Sequence, residues 1–252
     1  MNKKKKTDTN RYAIVMGATS GIGMEVALLL AERGWRVGIA GRRTERLSEV
    51  MQRNSNIVAK RTIDVNSEDA TTALHDMIRE MGGLDLYVHS SGIGWQNYDL
   101  DQEKELMTAN TNVMGFTRMV SAVFNYMAKR GRGGHITCVT SIAGTKGLGA
   151  APSYSATKRY QAHYLECLAQ LSNLRNLHIT ITDIRPGFVD TALIEGSEYP
   201  LKLSVEAVAK DIIKAIDSKA SVRIIDWRYK LLVCVWRLIP RWMWVRMNII
   251  NK

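Results

Sequence analysis

The sequence predicts an α/β fold in one domain, a doubly wound parallel sheet, and three observations carry that reading. Short apolar runs rich in valine and isoleucine recur at residues 11–16, 36–40, 57–63, 84–88, 134–140, 178–185 and 222–225. Between them lie stretches at helical spacing long enough to cross back over a sheet. The residues with chemical capacity fall where the apolar runs end, which is where a parallel sheet binds its ligands.

The first run, 11–16, enters Gly17-Ala18-Thr19-Ser20-Gly21-Ile22-Gly23, and a helical stretch follows to Arg33. Strand, glycine turn and helix make a phosphate cradle. Glycines let the backbone approach a pyrophosphate, and the helix N-terminus offers N–H groups and the positive end of its dipole. The second run ends at Gly41-Arg42-Arg43. About 20 positions beyond such a turn an acid binds the free ribose hydroxyl of NAD and an arginine the extra phosphate of NADP. No acid stands here, and the two guanidinium forks point to NADP(H). The third run ends at Asp64-Val65, where Asp64 either meets an adenine amino group or caps a helix beginning near Ser67. The fourth ends in His89-Ser90-Ser91-Gly92.

Residues near 101–130 read as helical with Asn112 in their midst, a residue costly there unless packing or function holds it. The fifth run delivers Ser141, whose hydroxyl can hydrogen-bond a substrate oxygen. A helix from about 152 to 175 then carries Tyr154 and Lys158, four residues apart and so on one face. An ammonium beside a phenol favours the phenolate and makes the tyrosine a usable proton donor and acceptor near neutral pH. The spacing alone is a common coincidence in a chain with 9 tyrosines, and it takes its meaning from the elements around it. The sixth run ends at Pro186-Gly187-Phe188-Val189-Asp190-Thr191, and residues 192–204 read as a lid.

In order and spacing, Gly17, Gly21, Gly23, Asp64, Asn112, Ser141, Tyr154, Lys158 and Pro186-Gly187 make the chain resemble the short-chain dehydrogenase/reductase family over residues 11–225. The resemblance implies a Rossmann-like sheet of seven strands, assembly as a homodimer or homotetramer, and a catalytic set of Asn112, Ser141, Tyr154 and Lys158. In it Tyr154 is the general acid/base, Lys158 lowers its pKa and holds the nicotinamide ribose, Ser141 orients the carbonyl and Asn112 anchors a proton-relay water. The cofactor contacts it implies are Gly17, Thr19, Ser20, Gly21, Ile22, Gly23, Arg42, Arg43, Asp64, Val65, Ser91, Gly92, Tyr154, Lys158, Pro186, Gly187, Val189 and Thr191. Two positions depart from the family pattern. Met16 stands for the usual threonine, and His89-Ser90-Ser91-Gly92 for Asn-Asn-Ala-Gly.

The net charge of +11 resides at the ends. Lys3, Lys4, Lys5 and Lys6 outweigh Asp8 in a tail, residues 1–10, that reads as disordered and solvated. Seven Lys/Arg face a single acid, Asp226, in residues 223–252. The nearly neutral body between them excludes an extended nucleic-acid face. No secretory signal follows the N-terminal lysines. The three cysteines and five histidines form no metal-ligand spacing, and the cysteines read as core thiols of a reducing, cytoplasmic compartment.

Residues 226–252 form a basic, tryptophan-rich extension that holds four of the 6 tryptophans. Its uncharged run at 231–236 is far below the roughly 20 residues a spanning helix needs. Trp and Leu interleaved with arginine over 227–246 suit contact with the inner face of a membrane, the other reading being a cover for the substrate cleft or a subunit interface. The expected activity is NADPH-dependent reduction of a ketone on an apolar molecule such as a 3-oxoacyl, keto-sphingoid or steroid compound. The alternative is a catalytically silent, NADP-binding membrane scaffold.

Overall fold

The computed structural model describes residues 11–191 and 201–247. The basic tail at 1–10 and residues 192–200 of the expected lid lie outside the described residues. Strands β1 (Tyr12–Met16), β2 (Arg36–Gly41), β3 (Ile57–Thr62), β4 (Leu86–His89), β5 (Gly134–Val139), β6 (Ile179–Arg185) and β7 (Val222–Ile224) form one parallel sheet in the order β3-β2-β1-β4-β5-β6-β7. The strand order reverses between β1 and β4, and such a switch point is where sheets of this kind bind their ligands.

Side-chain alternation along the strands divides the core. Ala13 and Val15 of β1, Val37 and Ile39 of β2, and Leu86 and Val88 of β4 face helices α1 (Gly21–Glu32), α2 (Thr44–Gln52) and α7 (Val205–Asp217). Ile14, Met16 and Tyr87 point the other way, onto α3 (Ala70–Met81), α5 (Phe116–Arg130) and α6 (Pro152–Leu174). Period-two burial on both faces accounts for the nearly continuous apolar runs, since neither side of the sheet meets water. Met16, in place of threonine, fills this second core and is fully buried.

Two expectations are corrected and one is refined. The third crossover helix begins at Ala70 rather than near Ser67, and Asp64 does not cap it: its carboxylate accepts from the Asn66 N–H at 3.0 Å, a local turn two residues long. The stretch expected to be helical near 101–130 is so from 102 to 130, with a π-turn inside it: α4 (Gln102–Ala109), the π-turn at Asn110–Gly115 and α5 follow one another without a break. Of the three cysteines only Cys138 is buried; Cys167 and Cys234 lie on the outer faces of their helices.

The C-terminal extension is helical on both sides of Pro240: α8 (Trp227–Leu238) and α9 (Arg241–Trp244). Tyr229, Val233, Trp236 and Trp244 are buried against the body, and Trp227, Leu231, Val235, Leu238, Trp242 and Val245 are exposed. Among the described residues no helix is long and apolar enough to cross a membrane.

Candidate active site

The glycine turn is built by close contact. Gly17 has φ +87°, and a Cβ on it would stand 2.7 Å from the Ser91 N; one on Gly23 would stand 2.3 Å from the Gly17 carbonyl oxygen. Side chains at either position would push the turn off the end of β4 and off the first turn of α1, so the narrow cradle exists only with glycine. Thr191 closes over the same turn, its methyl 3.3 Å from where a Gly21 Cβ would lie. Ser20 occupies the N-cap of α1 without using its hydroxyl as a cap. That hydroxyl accepts instead from Arg43 Nη2 at 2.7 Å, and Thr19 Oγ1 accepts from the same nitrogen at 2.6 Å. Of the two arginines, Arg43 is therefore the one tied to the cradle, while Arg42 is exposed beside it.

The departure at His89-Ser90-Ser91-Gly92 leaves the strand ends joined. His89 keeps its register with Met16 and Cys138, and the Ser90 N–H donates to the Met16 carbonyl at 2.8 Å. The His89 ring is fully buried, with Nδ1 2.9 Å from the Tyr87 hydroxyl, and burial holds its pKa at about 3, the nearby Lys158 charge adding to the effect. It stays a neutral imidazole at any physiological pH.

Beyond Gly92 the chain meets the π-turn. Asn112, fully buried, treats Ile93 as a strand partner would, accepting from its N–H at 3.0 Å and donating to its carbonyl at 2.7 Å. The same amide donates to Thr157 Oγ1 at 3.1 Å, which fastens the turn to α6. The cost of an asparagine inside a helical stretch is thus offset by packing. A Cβ placed on Gly92 would lie 3.3 Å from Asn112 Oδ1 and 3.4 Å from Lys158 Nζ, so these three expected residues converge on one point.

Lys158 is 4 % exposed. Its ammonium donates to the Val139 carbonyl and to Gln161 Oε1, both at 3.1 Å, and lies 5.6 Å from the centroid of the Tyr154 ring. Burial lowers its pKa to about 8, against the opposing pull of Asp183. Ser141, 6 % exposed, caps a short 3-10 turn, Ile142–Thr145, by accepting from the Ala143 N–H at 3.0 Å. Gly144 lets that turn rest directly on α6, for a Cβ there would be 2.7 Å from the Lys158 carbonyl. Ser155 Oγ donates to the Ala143 carbonyl at 2.8 Å and locks the contact. The Ile142 N–H donates to the Pro186 carbonyl at 3.1 Å, which brings the Pro186-Gly187 loop to the same rim.

Some expected cofactor residues stand apart from this convergence. Val65 is buried under the π-turn, where its carbonyl accepts from Arg118 Nη1 at 2.6 Å, and Val189 is buried beside Leu203, with which it forms an isolated bridge. Two residues that matter here were not anticipated. Gly94 lies against Tyr154, whose ring would be 2.2 Å from a Cβ there, and Gln161 joins Lys158 to Asn112. Gln161 sits three residues after Lys158 on the same helical face, a spacing visible in the sequence.

Comparison with known proteins identifies the family. The chain matches the family model described as short chain dehydrogenase over residues 11–199. An uncharacterized oxidoreductase of Myxococcus xanthus is 36% identical over 216 residues, 81% of this chain and 84% of that protein. Dehydrogenase/reductase SDR family member 7B of Danio rerio is 27% identical over 237 residues, 83% of this chain and 75% of that one. Among solved structures, a tryptophan variant of actinorhodin polyketide ketoreductase with NADPH superposes with TM-score 0.75 at 26% identity, covering 86% of this chain and 95% of that one. A short chain dehydrogenase of Burkholderia cenocepacia in complex with NADP has TM-score 0.81 at 21% identity, covering 95% and 98%, and speaks for the fold alone. With three quarters of its length under one family model and the seven-stranded parallel sheet beneath it, the chain belongs to the short chain dehydrogenases and is an oxidoreductase of that family.

Proposed function

We propose that the protein reduces a ketone with NADPH, and reversibly oxidises the secondary alcohol, on an apolar substrate presented at a membrane surface. The observation that carries the reading is the buried ammonium of Lys158 beside the Tyr154 ring, at a point shared with Gly92 and Asn112 and next to the turn that holds Ser141. NADPH supplies the hydride when bound. Gly17, Gly21 and Gly23 would hold its diphosphate, and Arg43, already directed at Thr19 and Ser20, its 2′-phosphate. Tyr154 gives the proton to the developing alkoxide, Lys158 stabilises the phenolate left behind, and Ser141 holds the carbonyl oxygen.

The substrate and surface parts of the proposal rest on α8 and α9. Lys230, Arg237, Arg241 and Arg246 accompany the exposed Trp227, Leu238 and Trp242, a pairing that fits anionic headgroups and the interface below them. Trp236 Nε1 donates to Thr145 Oγ1 at 2.9 Å and Trp244 Nε1 to the Gly147 carbonyl at 2.7 Å, so this surface is fastened to the turn that follows Ser141. A ketone dissolved in lipid would reach the site from that side.

The test is NADPH oxidation with ketones of rising chain length, offered free and in vesicles of anionic phospholipid. Turnover is expected to rise with chain length and with vesicle presentation. No turnover of any ketone would leave the silent scaffold as the better reading. Replacing Arg43 by alanine is expected to weaken NADPH binding about 10- to 100-fold, the worth of a charged hydrogen bond to phosphate, with NADH binding unchanged. Fluorescence titration with both nucleotides checks this, and equal losses for the two would place the arginine elsewhere.

A further inference from the structure

Gln161 is 1 % exposed and uses both ends of its amide. Nε2 donates to the main-chain carbonyl of Asn112 at 2.9 Å, and Oε1 accepts from Lys158 Nζ at 3.1 Å. We propose that Gln161 is a positioning residue: its side chain bridges the Asn112 carbonyl and the Lys158 ammonium, a place that a water could otherwise fill, and so fixes the charge and direction of Lys158. The proposal rests on the reductase reading of the site.

The physical difference between water and an amide gives this consequence. A water between carbonyl and ammonium can turn, exchange and pass a proton along. A glutamine amide has neither a readily lost proton nor freedom to rotate when both ends are bonded, so it holds the ammonium without conducting. Two of the three Lys158 N–H bonds are committed, one to Val139 and one to Gln161. The third is left for the side where Tyr154 lies. The carbonyl end of the amide, polarised by the bond that Nε2 makes to Asn112, faces the ammonium and favours it over the free amine.

The other groups around this nitrogen come from every neighbouring element. Asp183 on β6 favours the ammonium, Cys138 on β5 is a thiol that burial keeps protonated, His89 on β4 is neutral, and Tyr154 shares α6. Burial opposes Asp183 and is the largest influence. In that balance a neutral acceptor in contact distance has leverage, and changing it to a charged or an apolar group of like size moves the titration in opposite directions.

The experiment follows the Lys158 side chain by NMR in the full chain without nucleotide, its ε-carbon assigned by loss of the signal in Lys158→Met. Gln161→Glu keeps the size of the side chain and places a carboxylate at the ammonium, so the Lys158 midpoint is expected to rise by about one pH unit or more. Gln161→Leu removes the acceptor, and the midpoint is expected to fall by about one unit. The alkaline limb of kcat/KM for ketone reduction is expected to move with each midpoint. A midpoint that stays put in both variants, or moves the same way in both, overturns the bridge. Absence of ketone reduction by the unaltered protein overturns the reductase reading instead, and the titration still decides on Gln161.

Discussion

Phenylalanine at position 154 is expected to reduce the rate of ketone reduction by a factor of about 10² to 10⁴, the usual worth of a positioned acid, while NADPH binds within about twofold of its normal affinity. The substitution removes one oxygen and leaves the packing. The Tyr154 ring is seated against Gly94 with no room for even a methyl group between them, and the Lys158 ammonium is 5.6 Å from its centroid. A phenyl ring fits the same seat, so any loss belongs to the hydroxyl. Steady-state NADPH oxidation together with nucleotide titration separates chemistry from binding, and a variant that kept its full rate would remove Tyr154 from the reaction.

The pH dependence follows from the same pair. Burial has lowered the Lys158 pKa to about 8, so the ammonium is present below that pH and is lost as the pH rises through it. In the proposed reaction the cation stabilises the phenolate, and the rate of reduction is expected to decline above about pH 8.

Much of this site was legible because its signals are local in sequence. The apolar run 11–16, the glycine turn and the helix behind it announce a cradle within about 20 residues, and the pair Tyr154 and Lys158 shares one helical face. What escaped the reading depends on elements far apart in the chain. Gln161 acquires its role only when α6 packs on the π-turn and brings it to the Asn112 carbonyl, 49 residues away. Asp64 is near enough to Asn66 to close its own turn, and no pattern in the sequence favours that over capping a later helix. The exposure of Cys167 and Cys234 turns on which face of α6 and α8 meets the body, and a cysteine count carries no such information.

The C-terminal extension shows the same limit in another form, because the sequence does not say which of its side chains turn inward. One face of α8 and α9 packs on the body as a cover, and the other carries the exposed tryptophans and arginines. The buried face reaches deep into the site's support. The Tyr229 ring lies on Gly187, its hydroxyl accepts from the Phe188 N–H at 3.2 Å and donates to the Leu201 carbonyl at 3.0 Å, and Lys146 Nζ donates to the Ile239 carbonyl at 2.7 Å.

A chain ended at Ile225 is therefore expected to lose its fold and not merely its surface contact. Tyr229, Val233, Trp236 and Trp244 each contribute about 1.5–3 kcal/mol by burial, and their sum is comparable with the about 5–15 kcal/mol that stabilises a whole domain. Thermal unfolding checks it, the truncated chain showing no cooperative transition at temperatures where the full chain is folded. The surface contact is read separately, with Trp227, Leu238 and Trp242 replaced together by serine. These side chains are exposed, so the triple variant is expected to unfold at the same temperature as the unaltered protein and to sediment with anionic vesicles at least about tenfold less, as three interfacial side chains are withdrawn from the headgroup layer. Equal sedimentation of the two would show that the exposed face of α8 and α9 does not rest on lipid, whatever the truncated chain does.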